Sequence, residues 1–377
     1  MPKSSTIEIN PEVLNWARVS AGWKIEEVAR KLEIDPKLIL KWENTPTQLP
    51  IKILREFSKY YKRSFEVFLL PKPPKEAPLP KDFRLIANTE SLSKESLLAI
   101  RKSRRLQEIA SSLLSNYTKN LNPKVIGAGL NDSPEIIASK ERANFDVPLN
   151  IQTKWKNGYT AFRFWRNAIG KRNIFVFQIS MSSEIRGFSL GDEKPSVIVV
   201  NSSDTINARI FTLFHEYGHL ILKTPGICDP TKDPMKLYIS YKIEKWCNQF
   251  AASFLMPKED VLKLQTDTQE ISDRYIAAIS NKLKVSREAL LLRFLTLNLI
   301  GREQFDAIWK KIKSEPKKPK SNKVILIDLV KQSVSERGIP FVSLVLESKN
   351  KNFITNNQAL DYLSVKTKHL EKIQNYL

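Results

Sequence analysis

The chain has 377 residues, enough for two or three hydrophobic cores rather than one, with 42% hydrophobic and 27% charged residues, the balance of a globular protein. No apolar run nears the ~20 uncharged residues of a membrane helix, and the opening MPKSSTIEINPEV has no apolar export signal. Two cysteines, Cys228 and Cys247, are too few for a disulfide framework and point to a reducing compartment, the cytoplasm, while a net charge of +21 favours an anionic partner such as nucleic acid.

In chain order, residues 10 to 70 predict an all-helical module with its own small core: Pro11 to Ser20, Ile25 to Leu32, Pro36 to Glu43, Ile51 to Lys62 and a short Phe65 to Leu70. PKPPKEAPLPK, Pro71 to Lys81, holds five prolines and reads as an extended spacer. A long helix from Ser91 to Asn116 and another from Pro134 to Arg142 precede three short strands: NIFVFQIS (173–180), IRGFSL (185–190) and SVIVVNS (196–202). GDEKP, Gly191 to Pro195, suits a hairpin loop between the last two. Helices are then expected at Asp204 to Leu222, Tyr238 to Leu255, Gln269 to Lys284 and Arg287 to Leu297, the last entered by Ser286 as N-cap. Lys310 to Lys323, with seven lysines and two prolines, reads as a solvated linker, and Val324 to Leu377 as a small mixed domain.

The chemistry is carried by FTLFHEYGHLIL, Phe211 to Leu222. His215 and His219 lie four apart on an expected helix and so share a face, which lets both imidazoles reach one ion, and Glu216 can approach the attacking water without being a ligand. Only three histidines occur in the chain, so this spacing is not a by-product of composition, and a helix apolar on nearly every side would bury two imidazoles that then need partners. A hydrolytic zinc site takes three protein ligands and one open position. His369, in VKTKHLEKI, reads as a surface residue, so the third ligand is sought in the next helix, where Glu244 is the best candidate. Asn248, on the same helical face, would orient the Glu244 carboxylate from behind; Cys228 and Cys247 are alternative thiolate ligands but fit better as small buried residues. For the group that stabilises the oxyanion, Tyr217, Tyr238, Tyr241 and Arg209 are all near in sequence. A His2Glu set suits one zinc ion per chain, and manganese or iron also fit.

RGFSL, PSVIVVNSSD, ARIFTLFHEYGHLIL and EKWCNQFAASFLMP, in this order, resemble the ImmA/IrrE family of metallopeptidases. WKIEEVARKLEIDPKLILKWEN, Trp23 to Asn44, is similar to an Xre-type helix-turn-helix, with Asp35 as N-cap and Pro36 opening the recognition helix. The resemblance implies a zincin-like fold, a site of His215, His219 and Glu244 with Glu216 catalytic, an extended substrate beside an edge strand of the small sheet, and cleavage of a helix-turn-helix repressor. Two departures stand out: Glu33 occupies a turn position often held by glycine, and the recognition helix offers Lys37 and Lys41 but no side chain suited to base edges, so phosphate contact to DNA and protein recognition both stay open. A dimer through the head is a third option.

The expectation is therefore a multidomain α+β protein: a helix-turn-helix head (1–70), a proline-rich linker (71–81), a zinc peptidase domain (82–265), a helical extension (266–309), a lysine-rich linker (310–323) and a small C-terminal domain (324–377). Its rivals are a DNA-binding regulator with a sensory or vestigial zinc site and an antitoxin-like partner that acts by binding.

Overall fold

The computed structural model describes residues 5–75, 92–117, 122–223, 234–264, 271–315 and 328–375, which fall into two compact units divided between Lys102 and Ser103.

In the first unit, strand β1 (Thr6–Ile9) leads into helices α1 (Pro11–Ser20), α2 (Ile25–Leu32) and α3 (Pro36–Asn44). Their boundaries are written locally. The Asn10 side chain accepts from the Glu12 amide, and Asp35 accepts from the Lys37 amide with Pro36 in the first turn, so each cap satisfies an otherwise orphaned donor. The turn between α2 and α3 requires a left-handed residue, and Glu33 adopts it with φ of 56°, a conformation glycine would take without Cβ strain. The module is not all-helical as expected. Strand β2 (Thr47–Pro50) pairs antiparallel with β1, with Ile7 opposite Leu49. Four-residue strands with a two-residue alternation are too short to stand out beside the helical pattern. Helix α4 (Ile51–Tyr61) and a 3-10 turn (Phe65–Leu69) close a core around Leu14, Val28, Ile39, Leu54 and Phe57. Arg18 forms a two-pronged ion pair with Glu43, at 2.7 and 2.8 Å, and donates to the Trp23 carbonyl, locking α1 to α3. The first turns of α5 (Lys94–Leu114) belong here too: the Lys94 ammonium meets Glu27 at 2.8 Å and lies over the Trp23 ring. Of the proline-rich spacer, residues 76–81 lie outside the described residues.

In the second unit, the rest of α5 clamps the loop between two strands: Arg104 pairs with Asp192 at 2.7 Å, and Gln107 donates to the Glu193 and Pro195 carbonyls. Helices α6 (Pro134–Phe145), α7 (Leu149–Gln152) and α8 (Gly158–Gly170) come before the sheet. The sequence reading had no helix at α8, although Asn157 caps it by accepting from the Thr160 amide. Strands β3 (Ile174–Ile179), β4 (Gly187–Leu190) and β5 (Ser196–Asn201) take the order β3-β5-β4, β5 parallel to β3 and antiparallel to β4. All three are buried throughout, which explains their continuous apolar runs. Ile174, Val176, Ile198 and Val200 face the core that holds helix α9 (Ile206–Leu222).

The other face of β3 is covered by the C-terminal region, which differs from expectation. It is helical in its described residues, α15 (Leu329–Arg337), α16 (Ile339–Asn350), α17 (Asn356–Leu363) and α18 (Thr367–Gln374), and belongs to the same unit as the sheet. Phe341 meets Phe175 and Phe177 edge-on, and the fully buried Arg166 guanidinium donates to the Val176, Ser335 and Glu336 carbonyls. A strand apolar on both faces needs a second cover, which this region supplies. Between these parts lie α10 (Pro234–Leu255), α11 (Lys258–Leu264), α12 (Asp273–Leu283), α13 (Arg287–Thr296) and α14 (Arg302–Ser314). The lysine-rich stretch thus begins as the last turn of α14, with Ile312 buried, and its residues 316–323 lie outside the described ones.

Candidate metal centre

Helix α9 leaves the end of β5 and runs beneath the sheet, with every residue from Thr212 to Leu222 buried. A helix apolar on all sides must be surrounded: Phe214 stacks on Phe254 of α10 at 4.1 Å and meets Trp165 of α8 edge-on at 5.1 Å. Tyr217 faces away from the histidines. Its hydroxyl accepts from Arg172 (2.9 Å) and donates to the buried Glu141 (3.3 Å), a polar anchor that fixes the rotation of α9.

Two glycines let other elements approach the histidine face. A Cβ at Gly218 would stand 3.3 Å from Cys247 Sγ, so α10 crosses α9 at backbone contact. A Cβ at Gly187 would stand 2.4 Å from the Thr212 methyl and 3.5 Å from Glu216 Cγ, which sets β4 directly over the middle of the motif. Neither glycine was singled out from the sequence; the signal in HEYGH was a helix-weakening residue inside an otherwise strong helix.

The crossing brings Glu244 to the two imidazoles. His215 Nε2 lies 3.1 Å from His219 Nε2, and the Glu244 carboxylate oxygens lie 3.3 Å from His215 Nε2 and 3.4 Å from His219 Nε2. Two imidazole nitrogens and a carboxylate converging this closely are the donor set of a His2Glu zinc site, in which zinc bonds nitrogen and oxygen at about 2.0–2.2 Å. The donor set argues the same way. His215 Nδ1 lies 3.2 Å from Asn248 Oδ1, an oxygen that only accepts, so Nδ1 carries the proton and Nε2 of the neutral ring turns a lone pair toward the carboxylate. Lone pair facing lone pair at that distance calls for a cation between them. Among the described residues, these three form the one His/Cys/Asp/Glu group whose ligand atoms converge in this way.

Electrostatics agree. Burial works against ionising Glu244, but the adjoining His215 and His219 imidazoles outweigh it and hold the carboxyl well below the usual range. Burial also opposes charging His219, yet Cys247, Glu244 and Glu216 push its pKa well above that of free histidine. The pocket is thus anionic and accommodates positive charge. Glu244 keeps 29% of its side chain exposed, so the site is open on that side, while Glu216 is fully buried.

The remaining candidates separate clearly. Arg209 is engaged by the Asp204 and Ser202 carbonyls and by Gln178, where it ties the ends of β3 and β5. Tyr238 and Tyr241 are exposed on α10. Cys247 is buried beside His219, where burial pushes its thiol pKa up, and it is not among the converging donors. Cys228 lies outside the described residues. His369 is half-buried on α18 and is not part of the cluster. Lys37 and Lys41 are exposed on α3, flanked by exposed Leu38 and Leu40.

Among the described residues, no helix is long and apolar enough to cross a membrane. Residues 169–295, which contain the sheet, the two crossing helices and α13, match the family model of the IrrE N-terminal-like domain of the M78 peptidases. Residues 14–68 match a helix-turn-helix family model. No curated protein matches the chain.

Proposed function

We propose that this chain, a helix-turn-helix head joined to an IrrE N-terminal-like peptidase domain, is a zinc-dependent endopeptidase that cleaves a helix-turn-helix repressor in the cytoplasm. The observation that carries this reading is the convergence of His215, His219 and Glu244 within 3.1–3.4 Å, beside a buried carboxylate that is not among them.

His215, His219 and Glu244 would hold the zinc ion, which would supply Lewis acidity at the scissile carbonyl and lower the pKa of water toward neutrality. Glu216, held over the site by β4 and shielded from bulk water, takes the proton from the attacking water and returns it to the leaving amine. Asn248 fixes the tautomer and plane of His215. Tyr241, three residues before Glu244 and exposed on α10, would be a candidate to stabilise the oxyanion.

For the head, α3 would present Lys37 and Lys41 to a phosphate backbone, a sequence-independent grip that would hold the peptidase on DNA. A second reading is favoured by the exposed Leu38 and Leu40 between those lysines: a face with apolar side chains fits a protein partner, the repressor or a second copy.

Elemental analysis of wild type, His215→Ala, His219→Ala, Glu244→Ala and Glu216→Gln, with cleavage of repressors encoded nearby, tests the proposal. About one zinc per wild-type chain, lost in the three ligand variants and kept in an inactive Glu216→Gln, is the expected pattern. Cleavage unaltered in Glu216→Gln would make the site sensory or structural.

A further inference from the structure

A cleft of about 710 Å³ opens beside the metal centre. It falls within the roughly 300–1,000 Å³ typical of ligand sites and is far larger than one side chain needs. Two residues tie it to the reacting centre. Asn248, which holds His215, and Thr212, one turn before Glu216 on α9, both line it. From there the cleft runs between α9, α10, α13 and α14, with Ala252 and Ala289 as small residues and Phe211, Leu292, Phe305 and Trp309 as large apolar ones. Leu292 is 51% exposed and opens onto the cleft, whose lining mixes these apolar residues with polar ones such as Gln249, Ser286 and Thr296. The charged pair within it is engaged internally: Arg293, 5% exposed, forms a two-pronged bond to Glu135 and donates to the Met256 carbonyl, and Ser253 also donates to Glu135. That pair fixes α13 to α6 and α10 and presents little net charge, while Arg186, Lys258 and Glu288 add further charged groups to the lining.

Because the cleft is continuous with the residues around the scissile bond, its occupant is the substrate itself. A groove between helices with small and large apolar residues suits the stripe that a helix presents at i, i+3, i+4 and i+7, whereas an extended peptide turns alternate side chains away. We propose that this cleft binds an amphipathic helix of the protein substrate next to the cleaved bond, so that the enzyme selects a folded apolar face rather than a short linear sequence. This rests on the peptidase reading of the metal centre.

The test uses the full chain and a fluorescein-labelled helical peptide of ~15 residues, the length at which isolated helices begin to hold, with leucines at i, i+3, i+4 and i+7 in an Ala/Glu/Lys background. A peptide of the same composition with scattered leucines is the control. Fluorescence anisotropy is expected to show about tenfold tighter binding of the striped helix, equal in wild type and Glu216→Gln, and about tenfold weaker in Leu292→Glu. Leu292 is exposed, so that variant keeps its fold, and its zinc content and melting temperature confirm it. Equal binding of both peptides, or binding unchanged in Leu292→Glu, overturns the inference. Helix binding by a wild-type chain that cleaves no substrate keeps the cleft as a helix site but removes the peptidase reading and, with it, the helix's identity as substrate; cleavage without helix preference overturns the inference alone.

Discussion

Gly218 lies against Cys247 so closely that a Cβ on the glycine would stand 3.4 Å from both the Cα and the Cβ of the cysteine. This contact sets the separation of α9 and α10, and through it the reach of Glu244, one turn before Cys247, toward His215 and His219. Gly218→Val adds branched bulk at the crossing, an overpacking of about 1–3 kcal/mol. Zinc content well below one per chain, in protein that still melts cooperatively, is the expected result. Gly218→Ala should be milder, because a gain of ~1 kcal/mol in helix propensity opposes the tighter contact. Full zinc occupancy in Gly218→Val would show that this approach does not place Glu244.

If the site holds zinc, Asn248 acts on it through His215, whose Nδ1 lies 3.2 Å from Asn248 Oδ1. Asn248→Ala should weaken zinc binding by about 10–100-fold in a competition titration against a chelator. Asn248→Asp keeps an acceptor at the same position and should retain most of the affinity. Identical affinities for Ala and Asp would remove the orienting role.

In the head, Arg18 and Glu43 keep only 11% and 3% of their side chains exposed. Removing one member strands the other, so Glu43→Ala should destabilise the head by roughly 3–5 kcal/mol, read as an earlier urea transition of the head. An unchanged transition would mean that α1 and α3 are held by apolar packing alone.

If α3 grips phosphate, each lysine releases counterions on binding. Replacing both Lys37 and Lys41 by alanine should lower the slope of log affinity against log salt by about 2 on duplex DNA. A slope near zero already in the wild type would assign the head to protein binding.

Burial raises the pKa of Asp192, but the hydrogen bonds and charge of Arg104 outweigh it and hold the carboxyl below the ordinary range. A depressed folded-state pKa stabilises above the unfolded value, about 3.9, and that stabilisation is lost as pH falls through the folded value. Asp192 is half-exposed, so the effect is under about 1 kcal/mol. The difference in melting temperature between wild type and Arg104→Ala should therefore shrink as pH drops below about 4. A constant difference would make the pair electrostatically inert.

Local rules made much of this legible. Caps at Asp35 and Ser286 were readable because a capping side chain bonds only to amides two or three residues away. The three sheet strands were readable from their continuous apolar runs. The β1–β2 pair and α8 were not, since the first is too short to show a period and the second, despite its Asn157 cap, opens and closes on the helix-weakening Gly158 and Gly170. The C-terminal helices looked like a separate domain because the partner of Phe341 lies far back in the chain, at Phe175 and Phe177.

By itself the sequence determined that His215 and His219 share one helical face with Glu216 between them, because a spacing of four residues is a property of any α-helix. Which carboxylate completes the set is not a local property. Only the tertiary structure brings Glu244 to the imidazoles, by crossing α10 over Gly218, and opens a cleft from segments as distant as Phe211 and Trp309. Contacts between residues far apart in the chain depend on how whole helices pack, and no spacing along the sequence encodes them.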